Sequence, residues 1–467
     1  MRIAIIGGGI TGLTAAYYLQ KAGQETTIFE AGKTPGGLAI SFDFGPFYWD
    51  KYYHCILTTD RYLLGMVEQL GLSAEMRWTT TKTGFFSERG MHSMSTLREF
   101  LAFPVLALWE KFRLGLGIIY ASRLKNVDDL EDQKASDWLT RIFGHSVYEK
   151  IWEPLLNSKL GVCREQASAS WIWATIFRYY STRENSAAKK EMLGYLHGGY
   201  KIFFERLVER LGSLGAQLRC EARIERIEAA EKGVRVLSNG HPEEFDRVLF
   251  TGPSNYLAKV APTLDRGYLE KLNSFQYLGL VCMVLVLKRK LSNFYITNLI
   301  ERDLFFTGVI EMTALISTDE TAGRHLIYLP RYTGPRDPVF TMEDTVIRRR
   351  MLADLLRIHP DLRDEEIEKE FIFRAPLVQP IPVLSYSKLL PSMETSIPGL
   401  YLANSTFILN GTLNNNEMIK IASHAVQEIT RSGVCNSNMN EVANRVTSPV
   451  AANGSVVSGV CSHKRNY

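Results

Sequence analysis

Cysteine is scarce in this chain of 467 residues: there are six, Cys55, Cys163, Cys220, Cys282, Cys435 and Cys461, and no two stand at Cys-x-x-Cys spacing. That scatter argues against a cysteine-built metal site or iron–sulfur cluster, so no metal is expected, and it fits a reducing cytoplasm better than a disulfide framework. An excess of either charge is missing as well. The formal net charge is only +4, and the densest basic run, Arg348 to Arg350, reads as the solvated side of one helix, so nucleic acid is not an expected partner. Long apolar stretches are scarce as well. The most apolar one, Phe100 to Ala121, carries Glu110, Lys111 and Arg113 near its middle and Pro104 close to its start, which argues against a membrane span. It is expected as a buried helix pair, the other readings being a cavity wall or a contact with a membrane surface that would make the protein peripheral. An internal repeat is absent, and a cleavable leader is not expected because the chain opens on an apolar strand.

What the chain does have stands at its start. Ile3 to Ile6 reads as a buried parallel strand, followed by Gly7-Gly8-Gly9-Ile10-Thr11-Gly12, a helix from about Thr11 to Ala22, and a second apolar run, Thr26 to Phe29, ending at Glu30. This is a dinucleotide-binding fingerprint: Gly7 makes the tight turn, Gly9 lets backbone approach a pyrophosphate, and Gly12 permits close helix packing. The helix points its positive end at the phosphates, and Glu30 is placed to accept hydrogen bonds from a ribose diol. The fingerprint alone serves nicotinamide and flavin nucleotides equally.

The length exceeds that of one ordinary domain, so two interleaved domains are expected. Segments 1–90, 195–260 and 395–431 read as an α/β nucleotide-binding domain. Segments 91–194 and 261–394 read as a second, α+β domain of helices and mixed sheet for the substrate, and 432–467 reads as a disordered tail rich in Ser, Asn and Val. Strands are expected at Gln217 to Arg219, Arg223 to Ala229, Gly233 to Leu237, Arg247 to Thr251, Leu278 to Leu287 and His325 to Leu329. A strand over Glu370 to Arg374 should feed a proline-rich turn, Ala375 to Pro382. The tryptophans and tyrosines of the helical stretch (Trp109, Trp138, Trp152, Trp171, Trp173, Tyr179, Tyr180) are expected chiefly as packing residues.

After Glu30 comes Ala31-Gly32-Lys33-Thr34-Pro35-Gly36-Gly37-Leu38, which resembles the glycine pair that follows the acidic residue in the amine oxidase and protoporphyrinogen oxidase superfamily of flavoproteins. Gly198-Gly199, Ala222 to Ile227, Asp246 to Pro253 and Gly399 to Asn404 resemble that superfamily's later motifs. The resemblance implies a Rossmann-like FAD-binding domain built from discontinuous segments and non-covalent FAD, held by Gly7, Gly9, Gly12, Glu30, Gly36, Gly37, Ile224, Asn404, Ser405, Asn416 and Met418. Where the superfamily usually has Gly and an acidic residue, this chain has Asn404, Ser405 and Thr406. Asn414, Asn415 and Asn416 are placed to cap a helix beginning near Glu417, whose end faces the flavin in this superfamily. A second dinucleotide fingerprint is absent, so the resemblance implies that a small-molecule substrate, rather than a nicotinamide, reduces the flavin, with oxygen or a quinone as acceptor.

The segment Gly45 to Ile56 gathers Asp50, Lys51 and His54 among aromatics and resembles, loosely, a flavin-facing loop of UDP-galactopyranose mutases. His54 and Lys51 are candidate catalytic residues, with Arg374 a third from the region before the last flavin motif. Gln379, Tyr386, Arg178, Arg331 and Tyr332 are further candidates for substrate contact. The expected activity is hydride acceptance from a substrate C–H bond. A redox-neutral nucleotide-sugar mutase is the alternative, and a flavin held without turnover the third reading.

Overall fold

Five short strands from the start, middle and end of the chain make one parallel sheet. Their order is Gln217–Arg219, Glu25–Phe29, Arg2–Ile6, Arg247–Phe250, Leu400–Leu402. The computed structural model describes residues 1–124, 127–184, 192–301, 303–409 and 411–431; the expected tail and the side chains of Tyr179 and Tyr180 lie outside the described residues. Side chains alternate along the first strand, as strand geometry requires. Ile3 and Ile5 pack with Leu13, Phe203 and Ile419 from the helices Ile10–Lys21, Tyr200–Ser213 and Asn415–Arg431. Ala4 and Ile6 face the other way, toward Ile227 and Val236 of the antiparallel strands Ile224–Ala230 and Gly233–Ser238. A parallel sheet covered on both faces places its ligand site at the carboxyl ends of the strands.

A second sheet has seven strands, ordered Ile367–Pro380, Tyr277–Leu287, His325–Thr333, Gly308–Glu311, Ile296–Leu299, Thr83–Ser87, Gly90–Ser93. It is antiparallel except where Ile296–Leu299 meets Thr83–Ser87. All eleven residues of Tyr277–Leu287 are buried, because Cys282, Val284 and Val286 pack on one face while Val281, Met283 and Leu285 pack on the other. Thr83–Ser87 already belongs to this second sheet, so the chain crosses over before residue 90.

Two expectations are corrected. The strand Ile367–Pro380 runs through the segment where a proline-rich turn was expected. It lies at the sheet edge, where Pro376 and Pro380 need no ladder N–H, and a register shift opposite Leu278 and Leu280 absorbs the irregularity. The segment from Phe100 to Ala121 is only half a buried pair. In the helices Leu97–Ala102 and Leu108–Ser122, Leu114, Gly117 and Ala121 turn inward while Leu108, Trp109 and Phe112 are exposed. The other helices of this layer, Ala135–Phe143, Glu153–Leu160 and Ala169–Glu184, close around Trp138, Phe143, Trp152 and Trp171. Trp109 is therefore no packing residue, unlike Trp138, Trp152 and Trp171.

Candidate active site

The three inner strand ends and the two glycine loops meet at one cavity of about 510 Å³. At its nucleotide end the loop after Arg2–Ile6 holds Gly12 so close that a Cβ there would lie 2.0 Å from the Gly7 carbonyl oxygen. Only glycine allows the helix to start this tightly on its own loop. The second glycine pair docks on the first: Gly36 N–H donates to the Gly8 carbonyl at 2.9 Å. A methyl group on Gly9 would touch only Gly37 Cα, at 3.8 Å, so the space it would take belongs to the cavity. The Glu30 carboxylate is fixed at the mouth by Gly8 N–H and Gly32 N–H, each at 2.7 Å. Gly7, Gly9, Glu30, Gly36, Gly37, Asn404, Ser405 and Met418 all line this cavity; Gly12, Ile224 and Asn416 do not.

Two asparagines bind protein rather than cavity. Asn404 is buried, its amide donating to the Gly252 carbonyl and the Ser254 hydroxyl while its oxygen accepts from the Thr406 N–H and hydroxyl. All four of its side-chain hydrogen-bonding positions are filled, so its side chain is a clamp between two strand ends, and none is left for the FAD contact expected of Asn404. Asn416 accepts from Tyr62 N–H (2.9 Å) and Leu63 N–H (3.2 Å) at the start of the helix Arg61–Gln69. The helix Asn415–Arg431 is capped instead by Asn414, whose oxygen accepts from Glu417 N–H at 3.0 Å.

The far end of the cavity is a chamber of half-buried polar groups. His54 lines it, packed against the Tyr200 ring, with Nδ1 3.7 Å from Asp50 Oδ2 and no hydrogen-bond partner on that nitrogen. Burial pulls the imidazole down to about 4, so it is neutral near pH 7. Asp50 is buried and accepts from Tyr200 N–H at 2.9 Å. Its carboxyl is pushed up to about 7 by burial, against the pull of that hydrogen bond. The preceding Gly199 has φ +69° and its missing Cβ would come 3.0 Å from Asp50 Oδ1, so the Gly198-Gly199 turn is what lets the helix Tyr200–Ser213 reach this carboxylate. Opposite stand Tyr53 and Tyr332, joined hydroxyl to hydroxyl at 2.8 Å, and Arg178, paired with Asp60 at 2.8 Å.

Lysine 159, on the helix Glu153–Leu160, also lines the chamber, and burial lowers its ammonium pKa. Nothing in the sequence marks it: Ser158-Lys159-Leu160 reads as an ordinary helix end, and only the fold carries it beside Cys55. Gln379 and Tyr332 join the chamber as well. The other candidates lie apart. Lys51 sits with its ammonium 4.8 Å from the centre of the Phe373 ring, and Arg374 is bound to Asp344 at 2.6 Å and the Met342 carbonyl at 2.7 Å. Neither lines the cavity: Arg374 is drawn to its partners from the edge strand Ile367–Pro380, and Lys51, in the bend after Tyr48–Asp50, lies against Phe373. Arg331 is likewise engaged elsewhere, with Phe305 and Asp337, and Tyr386 is spent on the Thr406 carbonyl. Among the described residues no cluster of three or more His, Cys, Asp or Glu has the arrangement to hold a metal ion.

A covered parallel sheet with a glycine cradle at its strand ends, opening into a polar chamber, defines a nucleotide-dependent α/β enzyme. Comparison with known proteins narrows the class. The profile of flavin containing amine oxidoreductases matches residues 10–414, and the chain belongs to that family of flavin-dependent oxidoreductases. It is 21% identical over 437 residues to the 15-cis-phytoene desaturase of Glycine max, covering 86% of this chain and 75% of the relative. Its fold is similar to that of an oxidoreductase from Methanosarcina mazei (TM-score 0.74, 16% identity, 91% of this chain and 100% of the other). It is also similar in fold to reduced UDP-galactopyranose mutase (TM-score 0.70, 16% identity, 95% and 98%).

Proposed function

We propose that the chain is an FAD-dependent oxidoreductase that removes hydride from a C–H bond of a largely apolar organic substrate. The observation that carries this reading is the continuity of one cavity from the glycine cradle to a chamber holding a neutral, unpartnered imidazole nitrogen and a half-buried lysine. FAD supplies the hydride-accepting ring when bound, and oxygen or a quinone is the acceptor expected to take the electrons onward. The cradle formed by Gly7 to Gly12, Gly36-Gly37 and Glu30 holds the nucleotide end, with the positive terminus of the helix Ile10–Lys21 toward the phosphates. The chain's own groups then supply proton handling and exclusion of water. His54 Nδ1 accepts a proton from the substrate, Lys159 orients it as a donor, and the Tyr53–Tyr332 pair and Trp171 wall the chamber off from solvent. A relative named as a desaturase supports C–H chemistry, since desaturation is loss of hydrogen across a C–C bond.

The test is anaerobic. The purified yellow protein is screened with candidate substrates in its oxidised and its reduced state, and the flavin spectrum is followed. Bleaching of the oxidised flavin by an apolar C–H donor is the expected result. Turnover by the reduced protein alone, with no net electron transfer, would establish the redox-neutral mutase activity instead.

A further inference from the structure

The helix Leu108–Ser122 is built inside out. Its charged residues turn toward the protein: Glu110 accepts from Ala107 N–H at 2.7 Å and from Lys150 Nζ at 2.7 and 2.9 Å, and Lys111 Nζ donates to the Leu101 carbonyl at 2.6 Å. Its outer face is apolar at helical spacing. Leu108 (74% exposed), Phe112 (70%), Leu116 (52%) and Tyr120 (55%) follow one another at four-residue steps, with Trp109 (60%) alongside. The preceding helix, Leu97–Ala102, adds Leu97 and Leu101, exposed on the same run of chain. A solvated helix would show the reverse pattern.

We propose that this helix pair docks the protein on the surface of an anionic phospholipid bilayer. Three features select that occupant. The exposed charges at the two ends of the pair are cationic, Arg98 on the first helix and Arg123 just after the second, whereas the other charges are engaged: Arg113 donates to the Ile142 and Arg141 carbonyls, Glu99 closes a capping box with Thr96, and Glu110 is buried. Apolar residues flanked by Trp, Tyr and Arg are the composition of a helix lying in the headgroup region. Among the described residues no helix is long and apolar enough to cross a membrane, so the helices lie on the bilayer. The face is also continuous with the chamber wall. Trp173 donates to the Ala121 carbonyl at 2.9 Å, and its own helix, Ala169–Glu184, presents Trp171, Thr175 and Arg178 to the cavity. One helix separates the lipid-facing surface from the chamber.

The experiment uses the full-length, flavin-loaded protein and co-sedimentation with vesicles. Phosphatidylcholine vesicles containing phosphatidylglycerol carry it down, phosphatidylcholine alone carries less, and added salt weakens the difference. The triple variant Leu108→Ser, Phe112→Ser, Leu116→Ser partitions at least about tenfold less, with flavin content and melting temperature unchanged, while Leu356→Ser, an exposed leucine on another helix, binds as the parent does. Should the triple variant fail to fold, Arg98→Glu with Arg123→Glu lowers binding to the anionic vesicles only. Absence of binding by the parent protein overturns the proposal, as does equal binding by the variants. A parent dimer that the triple variant converts to monomer, without any vesicle binding, overturns it in favour of a second copy.

Discussion

At the scale of single residues the pair of buried Asp50 and half-buried His54 makes the sharpest statement. Both are disfavoured as ions by the same burial, so the fold prefers a neutral carboxyl beside a neutral imidazole. The consequences for stability have opposite signs. Asp50 is raised from 3.8 to about 7, so between those values the folded chain holds a proton that the unfolded chain has lost, and rising pH destabilises. His54 is lowered from 6.5 to about 4, so over nearly the same range the unfolded chain holds the extra proton, and rising pH stabilises. In the parent protein the two slopes largely cancel. Asp50→Asn leaves the His54 contribution, so its stability climbs from about pH 4 to 6.5; His54→Gln leaves that of Asp50, so its stability falls between about pH 4 and 7. Urea midpoints across this range check both, and slopes of the same sign would refute the pairing. In catalysis His54→Ala retains flavin and slows anaerobic flavin reduction about a hundredfold, within the range of a lost acid–base group. Lys159→Met gives a smaller loss together with a shifted pH profile for reduction. Unchanged stopped-flow kinetics in either variant would remove that side chain from the chemistry.

At the scale of elements, the site is held by residues that contact other elements rather than ligand. Asn404 joins the ends of Arg247–Phe250 and Leu400–Leu402, and Asn404→Ala strands the Gly252 carbonyl and the Thr406 N–H. A loss of about 1–3 kcal/mol by chemical denaturation, with reduced flavin retention on gel filtration, is the expected outcome. Asn416→Ala uncaps Arg61–Gln69 and costs about 0.5–2 kcal/mol. Much of this architecture was legible in the sequence where a local rule decides structure. The strand, loop and helix from Arg2 to Lys21 and the strand Gln217–Arg219 follow from period and turn chemistry. Where tertiary placement decides, the sequence is silent. Pro376 and Pro380 signal a turn locally, yet sit in an edge strand because no neighbour needs their missing N–H. The helix Leu108–Ser122 has the residues of a buried segment, and only its packing shows which side faces out. Asn404 stands where the superfamily pattern suggested a cofactor contact; its partners, 150 residues away in sequence at Ser254, could not be read from spacing. Lys159 enters the chamber through helix packing alone.

At the scale of the whole molecule, the cavity draws on segments that are far apart in sequence. A ligand that binds only the folded state stabilises it in proportion to the logarithm of its concentration, by about 2.7 kcal/mol at a hundredfold excess over Kd. FAD added to flavin-stripped protein therefore raises the melting temperature in a concentration-dependent way, and NAD does not. An equal shift with NAD would contradict the flavin-specific reading.

The parallel sheet has a further consequence, for synthesis. Its first strand, Arg2–Ile6, pairs with Glu25–Phe29 at once but with Arg247–Phe250 only after more than half the chain exists, and the helix Asn415–Arg431 that packs against Ile10–Lys21 comes near the close of the described chain. Contacts of such long sequence separation form late, so the amino-terminal glycine loop emerges from the ribosome long before the partners that shape it. Until then Ile3, Ile5 and Leu13 remain uncovered, and the nascent chain depends on protection from aggregation. The cavity is accordingly complete only once Leu400–Leu402 has joined the sheet, and a nascent chain stalled before Leu400 is expected to hold no flavin.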